Sequence, residues 1–230
     1  MSKKIHETFS RIHEHYDFFN HLFSAGLDIG WRKEAARQAM LQRGEYKVLD
    51  LATGTGDLAI AVSSTGSAAG KNLEIIATDF NNDMLEHARQ KAERKGLKNI
   101  RFEIKDALST GYPASSFDVV TTAFSLRNFD DLDRFAAEMH RVLKKGGRFV
   151  LIDMAKPDNA FQRAFMGAYF SVINFVGGTV SKGSYRWLTY SIWRFDKENM
   201  AKTLRSHGFE EVKLKDLRAG VAFMITGRKA

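Results

Sequence analysis

Residues 47–57, K-V-L-D-L-A-T-G-T-G-D, constrain the fold more than any other stretch of this chain. Residues 48–51 form a short apolar run broken only by Asp50. Gly54 and Gly56 follow with one residue between them, and residues 58–62 open a run of helix formers. This reads as a buried strand, a glycine turn and a helix start. The glycines let the turn be tight and let a ligand come up to bare backbone. The helix start supplies N–H groups that have no partner inside the helix.

Gly54 to Ala59 fits G-x-G-x-x-G/A, a pattern shared by many nucleotide-binding turns. The charges around it narrow the ligand. A pyrophosphate wants a helix N-terminus without competing anions, yet Asp57 adjoins this turn and Asp50 lies in the strand feeding it. Two carboxylates suit a ligand with a cationic end. S-adenosylmethionine (SAM) carries a sulfonium and an ammonium and no phosphate. A second strand, 73–78, ends at Asp79, close to the ~20 residues past the glycines at which an acid meets ribose hydroxyls. Asp79 could instead cap the following helix, although Asn81 is itself a good cap. A third strand, 100–105, ends at Asp106-Ala107, where a carboxylate beside a small residue could meet an adenine amine.

The remaining chain repeats this rhythm. Residues 81–95 read as a helix, 117–123 as a fourth strand and 148–154 as a fifth. Residues 132–143 are amphipathic, with Leu132, Phe135, Ala136, Met139 and Val142 on one face. Lys144 and Lys145 are expected in the last turn of that helix, with Gly146-Gly147 stopping it. Five alternations imply a parallel sheet covered on both faces. The apolar, aromatic stretch 161–176 and the basic, aromatic stretch 182–195 break the rhythm and read as one or two inserted helices. A helix at 198–207 and a hairpin from 209–217 and 221–228, turning near Ala219-Gly220, complete the chain. The expected fold is therefore α/β, a class I SAM-dependent methyltransferase (Rossmann-like) fold. Its mostly parallel seven-stranded sheet closes with a C-terminal antiparallel hairpin. Helices at 5–22 and 29–41 precede the first strand, as an N-terminal helical lid or as cover for the sheet edge. We divide a single domain, 1–230, into a helical cap (1–44), a SAM-binding core (45–156), a helical substrate insert (157–195) and a C-terminal helix and hairpin (196–230).

Composition limits the setting. The chain has no cysteine, so disulfides and thiolate metal sites are excluded, and a reducing compartment fits. The polar start M-S-K-K-I-H-E-T carries no apolar signal core. No stretch reaches the ~20 apolar residues of a membrane span. A cytoplasmic protein is expected. Net charge is +8, and from Thr179 onward eleven Lys/Arg face five Asp/Glu. Such an excess suits nucleic acid, an anionic membrane surface or simple solvation.

Taken together, these stretches resemble the UbiE/MenG family, the C-methyltransferases of ubiquinone and menaquinone biosynthesis. The resemblance spans about Phe9 to Lys229. It is carried by Tyr16-Asp17, Asn20, Ser24 and Trp31, by the glycine motif, and by A-F-S-L-R-N-F at 123–129. R-V-L-K-K-G-G-R-F at 141–149 and S-Y-R-W-L-T-Y-S-I-W-R-F at 184–195 complete it. The departures are Phe19, Asp28, Lys145, Asp153, Ala155, Tyr190 and Ile225, mostly on the substrate side. The resemblance implies methylation of a ring carbon of a reduced, demethylmenaquinol-like or ubiquinone-precursor polyprenyl quinol. SAM is the donor, S-adenosyl-L-homocysteine the product, and no metal is expected. The donor would lie against Asp50, Ala52, Gly54, Thr55, Gly56, Asp79, Phe80, Met84, Asp106, Ala107 and Ala123. The lipophilic acceptor would lie against Tyr16, Asn20, Trp31, Phe124, Tyr185 and Trp187. Arg127 and Asn128 are the candidate catalytic residues. A phenol titrates near about 10, so the ring hydroxyl must be helped to ionise. Arg127 stays protonated, so it would stabilise the phenolate and order a relaying water, with Asp79 helping to fix it. A surface ion pair of Arg127 with Asp130 or Asp131 is the plainer alternative.

Rival functions on the same scaffold are methylation of another small molecule and of RNA. A silent partner in a quinone-synthesis complex and an NAD-dependent oxidoreductase are weaker. No separate RNA-binding module is visible, and nucleic acid is not an expected partner. Reversible peripheral contact with a membrane is expected through the aromatic insert and the basic C-terminal quarter. Homo-oligomerisation is left open.

Overall fold

The computed structural model describes residues 24, 26–40, 46–177, 184–217 and 220–230; at 165, 169, 170, 172–177 and 184–188 it describes backbone alone. The helix expected at 5–22, with Tyr16 and Asn20, lies outside the described residues. In chain order the elements are α1 (Leu27–Ala39), β1 (Tyr46–Leu51), α2 (Asp57–Ala68), β2 (Leu73–Asp79), α3 (Asn82–Arg94), β3 (Ile100–Ile104) and β4 (Phe117–Ala123). A 3-10 turn (Leu126–Asn128) precedes α4 (Leu132–Val142) and β5 (Leu143–Met154). Then come α5 (Ala160–Gly177), α6 (Ser184–Arg194), α7 (Lys197–Ser206), β6 (Phe209–Asp216) and β7 (Ala222–Lys229).

Among the described residues the seven strands form one sheet in the order β3-β2-β1-β4-β5-β7-β6. β1 to β5 are parallel, and β7 runs antiparallel between β5 and β6. This is the expected α/β architecture. Side chains alternate across each strand. Val48, Val150 and Ile152 face the cluster containing Trp31, Ala35 and Leu58, whereas Leu49, Leu51, Phe149 and Leu151 face the one containing Phe135, Met139, Met200 and Leu204. α1 and α2 thus cover one face, and α4 and α7 the other. α1 packs on α2, β4 and β5, and Trp31 is buried.

Two expectations about the α4–β5 junction are corrected. The helix stops at Val142, its last turn carries His140 and Arg141, and Leu143 is already extended. Lys144 and Lys145 belong to β5. The glycines therefore do not cap a helix. They lie inside the strand, where pairing with β4 jumps from Phe117↔Leu143 to Val119↔Arg148. A bulge absorbs the extra residues. A Cβ on Gly147 would stand 2.7 Å from the Lys144 carbonyl oxygen, so close backbone approach requires glycine there. The insert forms two helices, α5 and α6. At its far end Lys197 donates to Asp158 at 2.8 Å and to Asp216 at 2.5 Å, tying the start of the insert to the outer strand.

Candidate active site

Strand order reverses between β1 and β4, because β2 and β3 lie on one side and β5 on the other. A crevice opens beyond carboxyl ends arranged in this way. Here it is a concave cleft lined from the ends of β1, β2 and β4 and by Arg32 of α1.

Its floor is the glycine turn. Ala52, directly after β1, has φ 50°, and Gly54 and Gly56 have φ 55° and 82°. The two glycines do different work. Gly54 lines the cleft, with nothing within 4 Å of where a Cβ would stand. Gly56 does not line it; a Cβ there would lie 2.9 Å from Ala88 Cβ on α3. One glycine keeps the ligand side bare, and the other lets a helix pack behind it. Thr55 lines the cleft beside them.

β2 delivers Asp79. One of its carboxylate oxygens accepts the Gly54 N–H at 2.8 Å and the other accepts the Asn81 N–H at 3.0 Å. The helix cap is Asn81, whose side chain accepts from Asp83 and Met84 N–H. Asp79 therefore joins two loops, and its cap reading is set aside. Asp50, opposite Thr121 in register, is buried. Its oxygens accept from the hydroxyls of Thr121 and Thr53, each at 2.5 Å. Burial pushes its carboxyl up to about 6, against the lowering effect of those hydroxyls and of Arg32.

β4 forms the opposite wall. Ala123 and Phe124 line the cleft, and Phe124 has φ 60°, an outlying conformation for a bulky residue. Strain of this kind collects at functional sites. Phe80 and Met84 complete the donor-side wall. Asp106 and Ala107 line an adjoining hollow that shares Ala52, Phe80 and Phe129 with the cleft.

The catalytic pair separates. Asn128 lines the cleft, but Arg127 does not. Arg127 turns back to Asp153 on β5 and forms a buried ion pair with it through Nη1. The arginine is fixed by Asp153, and neither the expected link to Asp79 nor a surface pair with Asp130 or Asp131 describes it. Among the described residues, Arg127 Nε is buried with no hydrogen-bond partner. Burial pushes the Asp153 carboxyl up and the Arg127 cation opposes it. Trp31 stands behind Phe124, with ring centroids 6.3 Å apart, and does not line the cleft. Tyr185 and Trp187 belong to α6, which packs on the 3-10 turn, but their side chains lie outside the described residues.

Sequence reasoning missed several lining residues: Arg32, Thr53, Ser125 and Phe129. Thr53 stands inside the glycine motif, and Ser125 and Phe129 stand inside A-F-S-L-R-N-F. Arg32 follows Trp31, so each was within reach of the motifs already singled out. Asp57 is also less bare than its place in the sequence suggests, because Lys91 pairs with it.

The profile of the ubiE/COQ5 methyltransferase family matches residues 1–229. A demethylmenaquinone methyltransferase of Deinococcus radiodurans is 42% identical over 229 residues, covering 98% of this chain and 92% of its own. Another, of Thermus thermophilus, is 38% identical over 222 residues, covering 95% and 98%. A solved SAM-dependent methyltransferase from Thermotoga maritima, described as a possible histamine N-methyltransferase, superposes with a TM-score of 0.67. It is 19% identical and the match covers 97% of this chain and 99% of that one, a likeness that speaks for the fold alone.

Proposed function

This chain belongs to the ubiE/COQ5 methyltransferase family, and from that membership we propose that it transfers the methyl group of SAM to a ring carbon of a reduced, demethylmenaquinol-like polyprenyl quinol. The observation that carries the acceptor class is the likeness to the Deinococcus demethylmenaquinone methyltransferase along nearly the whole of both chains. The cleft supports the donor: its wall presents Asp50, Asp57 and Asp79, a donor set suited to a sulfonium and an ammonium.

When bound, SAM supplies an electrophilic methyl on its sulfonium. The chain's own residues do the rest. Asp79, held by two backbone N–H groups, accepts the ribose hydroxyls. Asp106 and Ala107 meet the adenine edge. Asp50 faces the cationic end. We assign residues 45–156 mainly to the donor, 1–44 and 157–195 mainly to the acceptor, and 196–230 to closing the sheet. Asn128, on the cleft wall, hydrogen-bonds the acceptor's ring oxygen. Arg127 stabilises that oxygen as a phenolate, with Asp153 as its positioning residue. Because Arg127 does not line the cleft, a relaying water is assigned to bridge it to that oxygen; its Nε–H, buried and without a partner among the described residues, supports this, since an unpaired buried donor is costly. Holding donor and ring carbon in contact contributes more than any single group.

The test is Arg127→Ala with SAM and a short-tailed demethylmenaquinol. Methyl transfer is expected to fall at least about 100-fold, as when an oxyanion donor is removed, with SAM affinity kept. Unchanged transfer and unchanged affinity would overturn the role.

A further inference from the structure

Arg32 is the one cationic side chain among the described residues lining the cleft, where the charged neighbours Asp50, Asp57 and Asp79 are all carboxylates. It reaches there from α1, outside the sheet, and it is held firmly. Asp28, one helical turn earlier, accepts from its Nη1. Asp28 is itself fixed by the Ser24 hydroxyl at 2.6 Å. The guanidinium carbon lies 4.9 Å from the centre of the Phe124 ring, the residue with the strained backbone. Its Nη2 stands 3.7 Å from the nearer Asp57 oxygen, beyond hydrogen-bond reach. The other Asp57 oxygen is taken by Lys91. An oriented guanidinium beside the glycine turn therefore presents an edge that Asp57 does not hydrogen-bond.

SAM carries an anion as well as its two cationic groups, the carboxylate of its methionine part. Among the described residues lining the cleft, Arg32 alone offers that carboxylate an opposite charge, and its fork matches it. We propose that Arg32 binds the donor's carboxylate, with Asp28 as its positioning residue. The proposal rests on SAM being the donor.

Calorimetric dissociation constants for SAM and for decarboxylated SAM, which keeps the sulfonium and the amine, test it. Wild type is expected to favour SAM by about tenfold or more, the worth of a charge-assisted hydrogen bond. Arg32→Gln should lose that preference, with decarboxylated SAM bound as before to within about twofold. Arg32→Lys should keep part of it. The double variant Asp28→Asn, Arg32→Gln removes both charges of the buried pair, so it leaves no unpaired carboxylate to unfold the helix, and it should behave as the single variant does. Equal weakening of both ligands, or undiminished SAM preference without Arg32, would overturn the assignment. Wild type that bound neither ligand would overturn the donor reading itself, a separate failure.

Discussion

Asp50, assigned above to the donor's cationic end, also bears on folding. It is buried, its oxygens are bonded to Thr53 and Thr121, and its carboxyl is raised to about 6. In an unfolded chain an aspartate titrates near about 3.9. Between these values the folded protein keeps a proton that the unfolded chain has released. Asp50 therefore contributes stability below about pH 4, and that contribution is lost as pH rises to about 6. Donor binding has the opposite sign, because the cationic end needs the carboxylate. SAM affinity is expected to be weaker at pH 5 than at pH 7.5 by up to roughly tenfold. Asp50→Asn should weaken binding and remove the dependence. Calorimetry across pH reads both, and a wild-type affinity indifferent to pH would contradict the assignment. At this scale, residues close to a motif were legible. The sequence favours Asn81 as the cap and Asp79 for ribose; the bonds bear out the cap and add that Asp79 ties the Gly54 and Asn81 loops together. The Arg127–Asp153 pair was not legible, because adjacent strands bring together residues 26 positions apart.

Periodicity made most elements legible. α4 places Phe135, Ala136, Met139 and Val142 in the core, and its apolar stripe is visible in the sequence. β5 was misread at its start because glycines after a helix usually end it, whereas here they bulge a strand. The insert is the element whose setting local pattern least determines. Among the described residues no helix is long and apolar enough to cross a membrane, yet Phe161 on α5 is 80% exposed and Tyr190 on α6 is 51% exposed. An exposed aromatic beside a basic C-terminal quarter suits an anionic bilayer surface. Flotation with anionic liposomes at low salt should carry the protein upward, and Phe161→Ser should reduce the bound fraction. Protein that stays at the bottom under those conditions would remove membrane contact from the account.

On the scale of the whole molecule, the parallel sheet, its closing hairpin and the crevice at the reversal of strand order follow from one alternating pattern. The pattern also locates the donor's cleft, since connections leave β1 and β4 in opposite directions. The acceptor is different. Its proposed contacts are drawn from the N-terminal cap, the insert and Phe124, and Asp28 and Tyr190 in the cap and insert depart from the family's signatures, whereas Ile225, the third departure, is buried in the sheet core. The most direct measurement incubates the protein with SAM and a reduced short-tail demethylmenaquinol, beside a demethoxy-benzoquinol, and locates any new methyl by mass spectrometry and NMR. The account predicts one added methyl, on a ring carbon of the demethylmenaquinol. Methyl on oxygen, or no transfer to either quinol from a protein that still binds SAM, would contradict it.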